Sequence, residues 1–276
     1  MGLGGHLTWT ATAREICKRL PGGKVLPVKN LNGNMQLVKC PTFKNNPFVI
    51  QDSTLGADIV FPMFLDNPNA NYCKQDTFQK AFHNGSKHII EQCCEVYGIM
   101  DPELKCDMFF DEKENLEITD MCKNLPKDFL TIEPFSKTNY TPNRSYPFEK
   151  FQMIVDDLAR DITVVQVGNP EGRALQNAID LRGRTTFRTA TGIIGRSKHF
   201  ISCEGGLVHA ATCVNTLSTV IVTGYQTVKM VAYPQNNNIN IASHGPCGLK
   251  IDCEQCIKDR EDHPWEEIVQ TVRKLL

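Results

Sequence analysis

The sequence predicts an α/β protein made of two doubly wound halves, each a parallel sheet with helices on its faces. Three observations predict it. From about residue 128 onward, short apolar runs alternate with amphipathic stretches at the spacings of strands and helices. The first half shows the same alternation in a shorter form. The chain has 276 residues, which at roughly 100–200 residues per domain favours two domains. The boundary falls near residues 123–128, giving halves 1–127 and 128–276, the first of them abbreviated.

Residues 10–20, TATAREICKRL, put Ala13, Ile16, Cys17 and Leu20 on one face at helical spacing, with Arg14, Lys18 and Arg19 opposite. This predicts a helix with one wet side. Apolar runs at GKVLPV, MQLVKC and ADIVF predict strands, and SKHIIEQCCEVYGI predicts a helix that Gly98 stops. A polar stretch then runs to CKNLPKD. In the second half FLTIEPF, DITVVQVG, HFISC and STVIVTG predict strands. FEKFQMIVDDLAR, EGRALQNAI, TTFRTATGIIGRS and LVHAATCV predict helices between them. Such alternation implies parallel pairing through right-handed crossovers. HPWEEIVQTVRKLL predicts a closing helix with Ile268, Val269, Val272 and Leu275 on its buried side. NNNIN at 236–240 reads as a polar loop, and Trp9 and Trp265 read as core residues.

A formal net charge of −1 argues against nucleic acid or an anionic membrane as a partner held by bulk charge. No run of about 18 apolar residues exists, and MGLGGHLTWT lacks the regions of a signal peptide. A soluble, cytoplasmic protein is expected, with peripheral contact to the inner membrane left open. The twelve cysteines then read as reduced thiols, most of them small core residues, although an even count suits disulfides in a secreted chain. The sequons at Asn84, Asn139 and Asn143 read as chance matches.

Ligands of doubly wound folds sit at the carboxyl ends of strands, near helix starts. Two corners have that character. In GLGGHLTWT three glycines let backbone amides approach a ligand just before a helix, though a tight surface turn would use them too. In SCEGGLVHAAT, from Ser202 to Thr212, a strand ends, Glu204 supplies a carboxylate, and Gly205 and Gly206 leave the next amides bare. Amides and helix dipole there suit a phosphate or diphosphate, and Glu204 suits the hydroxyls of a ribose or sugar. His209 reaches back to the strand end or caps local backbone.

These residues resemble glycosyltransferase family nine, the bacterial heptosyltransferases, whose two-domain fold is called GT-B. That family shows a strand ending in Asn-Asp-Ser-Gly, two residues, then His-Leu-Ala-Ala. Here Cys203, Glu204, Gly205 and Gly206 are followed by Leu207 and Val208, then His209, Ala210 and Ala211. LRGRTTFRTATGIIGRSKHFI is similar to the family's Gly-Lys-Thr-Thr-Leu segment. TIEPFSKTNYTPNRSYPFEKF resembles the stretch carrying diphosphate-binding hydroxyl and lysine residues, which puts Ser136 in the hydroxyl position and Arg144 in the lysine position. VGNPEGRAL matches the segment whose glutamate binds the nucleotide ribose, here Glu171. GLGGHLTWTATAREI, NNPFVI and HIIEQCCEVYGI follow the family in the first half.

The resemblance implies inverting transfer of a sugar, a heptose in the family's best-known members, from a nucleotide diphosphate sugar to a glycan, lipid-linked or other hydroxyl acceptor. No cofactor is required for that chemistry. The donor would lie on the second half against Gly4, Gly5, Ser136, Lys137, Arg144, Glu171, Glu204, Gly205, Gly206 and His209. Negative charge developing on the departing diphosphate would be stabilised by the glycine amides and by Arg144 or Lys137. The attacking hydroxyl needs a base. The family's aspartate for this step is replaced by Gly5, so His6 is the candidate catalytic base. Asp52 or Asp58 acting as base, His6 only orienting the acceptor, and loss of transfer activity are the alternatives. The rival functions are a non-catalytic sugar-nucleotide-binding protein and a sugar-nucleotide epimerase of the same fold.

HGPCGLKIDCEQCIKDREDHPW holds Cys247, Cys253, Cys256 and His263 within seventeen residues, a set that suits a tetrahedral structural ion. Some relatives of the family, the autotransporter heptosyltransferases, use such cysteines for iron. Zn or Fe is therefore the candidate metal, and an irregular loop with buried thiols is the simpler alternative.

Overall fold

The computed structural model describes residues 2–51, 59–70, 72–135 and 140–276. The first half runs from helix α1 (Leu3–Arg19) to strands β1 (Gly23–Leu31), β2 (Asn34–Leu37) and β3 (Ile59–Phe64). A hairpin of β4 (Cys73–Asp76) and β5 (Ala81–His83) follows, then helices α2 (Ile89–Glu95) and α3 (Glu112–Cys122). The second half contains β6 (Phe129–Glu133), α4 (Phe148–Leu158), β7 (Thr163–Gln166), β8 (Ile179–Asp180), α5 (Phe187–Ile194), β9 (His199–Cys203) and α6 (Gly206–Cys213). It closes with β10 (Ser218–Val222), α7 (Val228–Val231), β11 (Asn237–Asn240), α8 (Glu254–Asp262) and α9 (Glu266–Arg273).

The second half is the doubly wound sheet expected from the alternation. Its strands stand in the order β11-β10-β9-β6-β7-β8, and every neighbouring pair is parallel. The winding direction reverses between β6 and β9, and such a reversal opens a crevice at the carboxyl ends of the two strands. Side chains alternate between faces. Leu130, Ile132, Ile201, Cys203 and Ile221 pack beneath α4 and α9. Within α4 the buried residues Phe151, Ile154, Val155 and Leu158 repeat at helical spacing. On the other face Phe129, Phe200, Val220 and Val222 share one apolar cluster with Ile193 of α5, Val208 of α6 and Leu7, Trp9 and Ala13 of α1. The core is therefore continuous across both halves.

The first half is smaller. Its main sheet has the order β2-β1-β3; β1 and β3 are parallel, whereas β1 and β2 are antiparallel. The parallel pairing expected throughout fails at β2 because Asn32 and Gly33 both take positive φ, 52° and 86°. That geometry folds the chain straight back as a two-residue hairpin.

Several elements differ from their sequence pattern. α1 starts at Leu3, so the glycine loop expected before it is the helix's first turn. Leu7 to Ile16 are buried all round. Arg14, expected on the wet face, is 6% exposed and donates to the carbonyls of Glu103 and Lys105 and to the Asp107 carboxylate. EGRALQNAI is not helical: the buried Gln166 side chain binds the carbonyl of Arg173 and the amide of Leu175 and holds an open loop. The polar stretch before the boundary contains α3, capped reciprocally by Asp111 and Glu114, with only Ile118 buried. NNNIN is largely strand β11, paired with β10 through a buried Ile239. Leu275 is 43% exposed, past the end of α9. Arg188 of α5 binds Glu114 of α3 at 2.6 and 2.9 Å and ties the two halves together.

Candidate active site

The crevice between β6 and β9 is lined by two acids. Glu133 ends β6 and Glu204 follows β9, and both project from the sheet face that carries α5 and α6. Glu204 is 2% exposed, and neither of its carboxylate oxygens accepts a hydrogen bond among the described residues. Burial pushes its carboxyl above the usual range, against the pull of Arg144. Burial pushes Glu133 up to about 8, opposed by a bond from Ser202 Oγ at 3.4 Å and by Arg144. Arg144 donates through Nη2 to the Glu204 carbonyl at 3.0 Å and holds Nε 3.7 Å from Oε1.

Two helix starts meet here. α6 begins at Gly206 and α1 at Leu3; neither has a side-chain cap or an acid in its first turn. A β-carbon on Gly4 would stand 2.7 Å from the Gly206 Cα. Glycine at both positions is what lets the two backbones touch. Each uncapped start carries roughly half a positive charge. Their convergence beside Arg144 makes this corner the described region best suited to a polyanion. A shallow cleft of about 420 Å³, whose wall includes Thr227, Lys229 and His244, lies at the carboxyl ends of β10 and β11 on the same sheet edge. A larger cavity, about 490 Å³, lies near Thr216 and Leu217 at the amino end of β10, away from the crevice.

A second cluster stands beside this edge. His244, Cys247, Cys253 and Cys256 place their ligand atoms within 4.8 Å of one another. Cys256 and Cys247 Sγ are 3.5 Å apart, and His244 Nε2 is 3.6 Å from Cys256 Sγ and 3.8 Å from Cys253 Sγ. A tetrahedral ion with bonds of about 2.0–2.3 Å separates its ligand atoms by about 3.5–3.8 Å. His244 Nδ1 faces Asp259 Oδ2 at 3.2 Å, and Asp259 also accepts from the amide and hydroxyl of Ser243 and from Gln255. A carboxylate that orients a ligating imidazole in this way is the usual outer shell of a metal site. The residues fit a four-coordinate ion.

No protein-family model matches the sequence, and no curated protein matches it. Solved structures do match. A family 9 glycosyltransferase from Veillonella parvula DSM 2008 superposes with a TM-score of 0.66 at 12% identity, over 100% of this chain and 94% of that one. The fold is that of the family 9 glycosyltransferases. TibC, an iron-containing dodecameric glycosyltransferase from enterotoxigenic E. coli H10407, gives 0.67 at 12% identity, over 100% of this chain and 74% of its own. E. coli heptosyltransferase WaaC, solved with ADP, gives 0.55 at 11% identity, over 100% and 98%.

On this fold the residues singled out from sequence fall as follows. Gly4, Arg144, Glu204, Gly205 and Gly206 come together at the corner. Gly5 sits beside Gly4 in the first turn of α1. Glu171 is exposed in the loop after β7, bonded to Asn169. Ser136, Lys137, Asp52 and Asp58 lie outside the described residues. His6 is about 200° round α1 from Gly4 and so faces away from α6. Its ring packs edge-on to Phe43, 6.1 Å between centroids. Its Nδ1 meets the Gly2 carbonyl at 3.1 Å, its Nε2 is buried without a hydrogen-bond partner among the described residues, and burial chiefly lowers its basicity. His209 stays at the corner, where a β-carbon on Gly4 would stand 3.4 Å from its Cδ2, while its Nδ1 lies 2.7 Å from the Tyr233 hydroxyl. Burial pulls it down to about 3.

One expected ligand is wrong. His263 bonds Tyr146 at 3.0 Å and faces Glu267, outside the tetrad, and His244 takes its place because the chain folds back over Cys256 there. The signal was present: His-x-x-Cys at 244–247 precedes Cys-x-x-Cys at 253–256. Glu133 was missed as well, although it closes an apolar strand just as Glu204 does. Among the described residues no helix is long and apolar enough to cross a membrane.

Proposed function

We propose that the protein is an inverting glycosyltransferase that moves a sugar from a nucleotide diphosphate sugar to a hydroxyl acceptor. Residues 128–276 would hold the donor and residues 1–127 would present the acceptor. The observation that carries this reading is the corner where two uncapped helix starts meet at Gly4 and Gly206, beside Arg144 and a buried Glu204 whose carboxylate accepts no hydrogen bond among the described residues. The helix starts and Arg144 suit the diphosphate, whose charge grows as the sugar leaves. Glu204 and Glu133 suit hydroxyl groups, a protonated Glu133 as donor and Glu204 as acceptor. Glu171, in the loop after β7, is the residue proposed to bind the ribose. The ADP complex of a structural relative favours ADP as the nucleoside diphosphate and a heptose as the sugar.

His6 is proposed as the base. Nδ1 faces the Gly2 carbonyl, which leaves Nε2 as the nitrogen with a lone pair to offer, and in this proposal the His6 ring must swing out toward an acceptor hydroxyl to take its proton. His244, Cys247, Cys253 and Cys256 are proposed to hold a structural Zn or Fe that takes no part in the transfer. A cytoplasmic location belongs to the same proposal.

The test is a thermal-shift and calorimetric screen against ADP, UDP, GDP and CDP and their sugar conjugates. One nucleoside diphosphate should bind, and Arg144→Ala and Glu204→Ala should each weaken it. No binding by well-folded protein would sink the donor site. Binding followed by transfer that His6→Ala leaves intact would remove His6 alone.

A further inference from the structure

Asn143 is fully buried, and its backbone and side chain are hydrogen-bonded throughout. Nδ2 donates to the carbonyls of Leu249 at 2.8 Å and Ile251 at 2.7 Å, and Oδ1 accepts from the Cys253 amide at 3.0 Å. Its own carbonyl accepts from Thr223 Oγ1 at 2.6 Å. Two neighbours reinforce it: Thr141 Oγ1 donates to the Leu249 carbonyl at 2.7 Å, and Arg260 of α8 donates to the Pro142 carbonyl at 3.0 Å. The turn from Thr141 to Arg144 is thus bonded to the loop between Cys247 and Cys253 and to the helix that carries Cys256. Arg144, the next residue, is the cation set against Glu204.

We infer that the cysteine–histidine tetrad positions the diphosphate-binding cation: an ion bound there fixes loop 247–253, the loop fixes Asn143, and Asn143 sets Arg144 at the corner. Asn143 is a positioning residue. The ion raises affinity for a nucleoside diphosphate without touching it. This rests on the donor site proposed above and adds to it a dependence on metal. Leu249 and Ile251, the carbonyls that Asn143 grips, are bracketed by the ligands Cys247 and Cys253, so release of the ligands frees both ends of the gripped segment. Coupling of two separate sites is reciprocal and typically amounts to about 5–150-fold.

The experiment compares zinc-loaded protein with the same protein stripped by a chelator, each titrated with ADP and checked by circular dichroism and Tm. ADP should bind about tenfold more weakly, or worse, to folded stripped protein. Saturating ADP should tighten zinc, measured against a chromophoric chelator, by the same factor. In zinc-loaded protein, Asn143→Ser should keep the ion, read from the thiolate bands of the cobalt-substituted form, yet weaken ADP about tenfold. Placed on Arg144→Ala, it should add nothing. Equal ADP affinity with and without zinc overturns the inference and leaves the donor site standing. Failure of loaded protein to bind any nucleoside diphosphate overturns both, and failure to take up zinc or iron overturns the inference alone. Should the stripped protein unfold, the loaded Asn143→Ser variant decides, with Thr141→Val as its replacement if it does not fold. Unchanged affinity, or an effect additive with Arg144→Ala, then overturns the inference.

Discussion

Gly4 and Gly206 touch backbone to backbone, so the first turn of α1 rests directly on the first turn of α6. A methyl at Gly4 meets main chain, which cannot swing aside. Gly4→Ala should therefore cost about 1–3 kcal/mol, seen as a lower Tm, and should weaken nucleotide binding by parting the two helix starts. Gly205 differs, because its added β-carbon would meet nothing nearer than the Cys203 carbonyl at 3.7 Å, and its φ of 179° is open to any residue. Gly205→Ala should leave the stability within about 0.5 kcal/mol, so that Tm barely moves.

Glu204 is buried, and among the described residues neither carboxylate oxygen accepts a hydrogen bond and Arg144 at 3.7 Å is its ion partner, which costs folding energy that a bound ligand would offset. Glu204→Gln should raise Tm or leave it unchanged while weakening the nucleotide sugar by about 1–3 kcal/mol, roughly 5–150-fold. Calorimetry of the two forms measures this. A variant equal to wild type in affinity would show that no ligand uses the carboxylate.

Metal content separates the two candidate histidines. Purified His263→Ala should keep one ion per chain, whereas Cys256→Ser and His244→Ala should lose most of it, a change of about 10–100-fold or more in affinity. Elemental analysis checks the stoichiometry. Full retention in Cys256→Ser would contradict a tetrahedral site.

Four histidines set the acid side of the stability curve. Burial lowers His83, His88 and His199 to about 4 and His209 to about 3. Unfolded, each titrates near 6.5. The unfolded chain thus binds more protons between about 6.5 and 4, so their contribution is full above that window and is lost as pH falls through it. Glu133 has the opposite sign: with a folded value of about 8, its contribution is present below the unfolded value and lost as pH rises toward 8. Tm should fall on acidification from pH 6.5 to 4. His199→Gln should reduce that fall, by on the order of 3 kcal/mol at most. Glu133→Gln should flatten the decline between pH 6 and 8.

The strand-to-helix corner at Glu204 was legible because an apolar run ends there abruptly in Glu-Gly-Gly before a helical pattern resumes. The helix in EGRALQNAI was a false reading. Its residues favour a helix locally, and the buried amide of Gln166, seven residues before Arg173, outbids them by taking the backbone groups that helix would use. α3 was hidden for the reverse reason: it buries Ile118 alone, so its apolar period is nearly silent and only the Asp111–Glu114 cap marks it. Asn-Gly at 32–33 is a strong hairpin signal, and it outweighed the alternation that suggested a parallel pair. The His-x-x-Cys spacing at 244–247 marks His244 as a ligand, but nothing local says that His263 stays out, because that depends on how the chain returns past Asp259.

The apolar cluster that runs from Trp9 and Leu7 through Val208 to Phe200 and Val220 belongs to neither half. A chain cut at residue 127 would expose it on both fragments, and Arg188 and Glu114 would each lose a buried ion partner. The molecule should lose its heat-absorbing structure in one cooperative event, and neither fragment expressed alone should give dispersed resonances. Substitutions that leave stability unchanged should therefore concentrate at the rim, since any that reshapes the seam is felt by the whole fold at once.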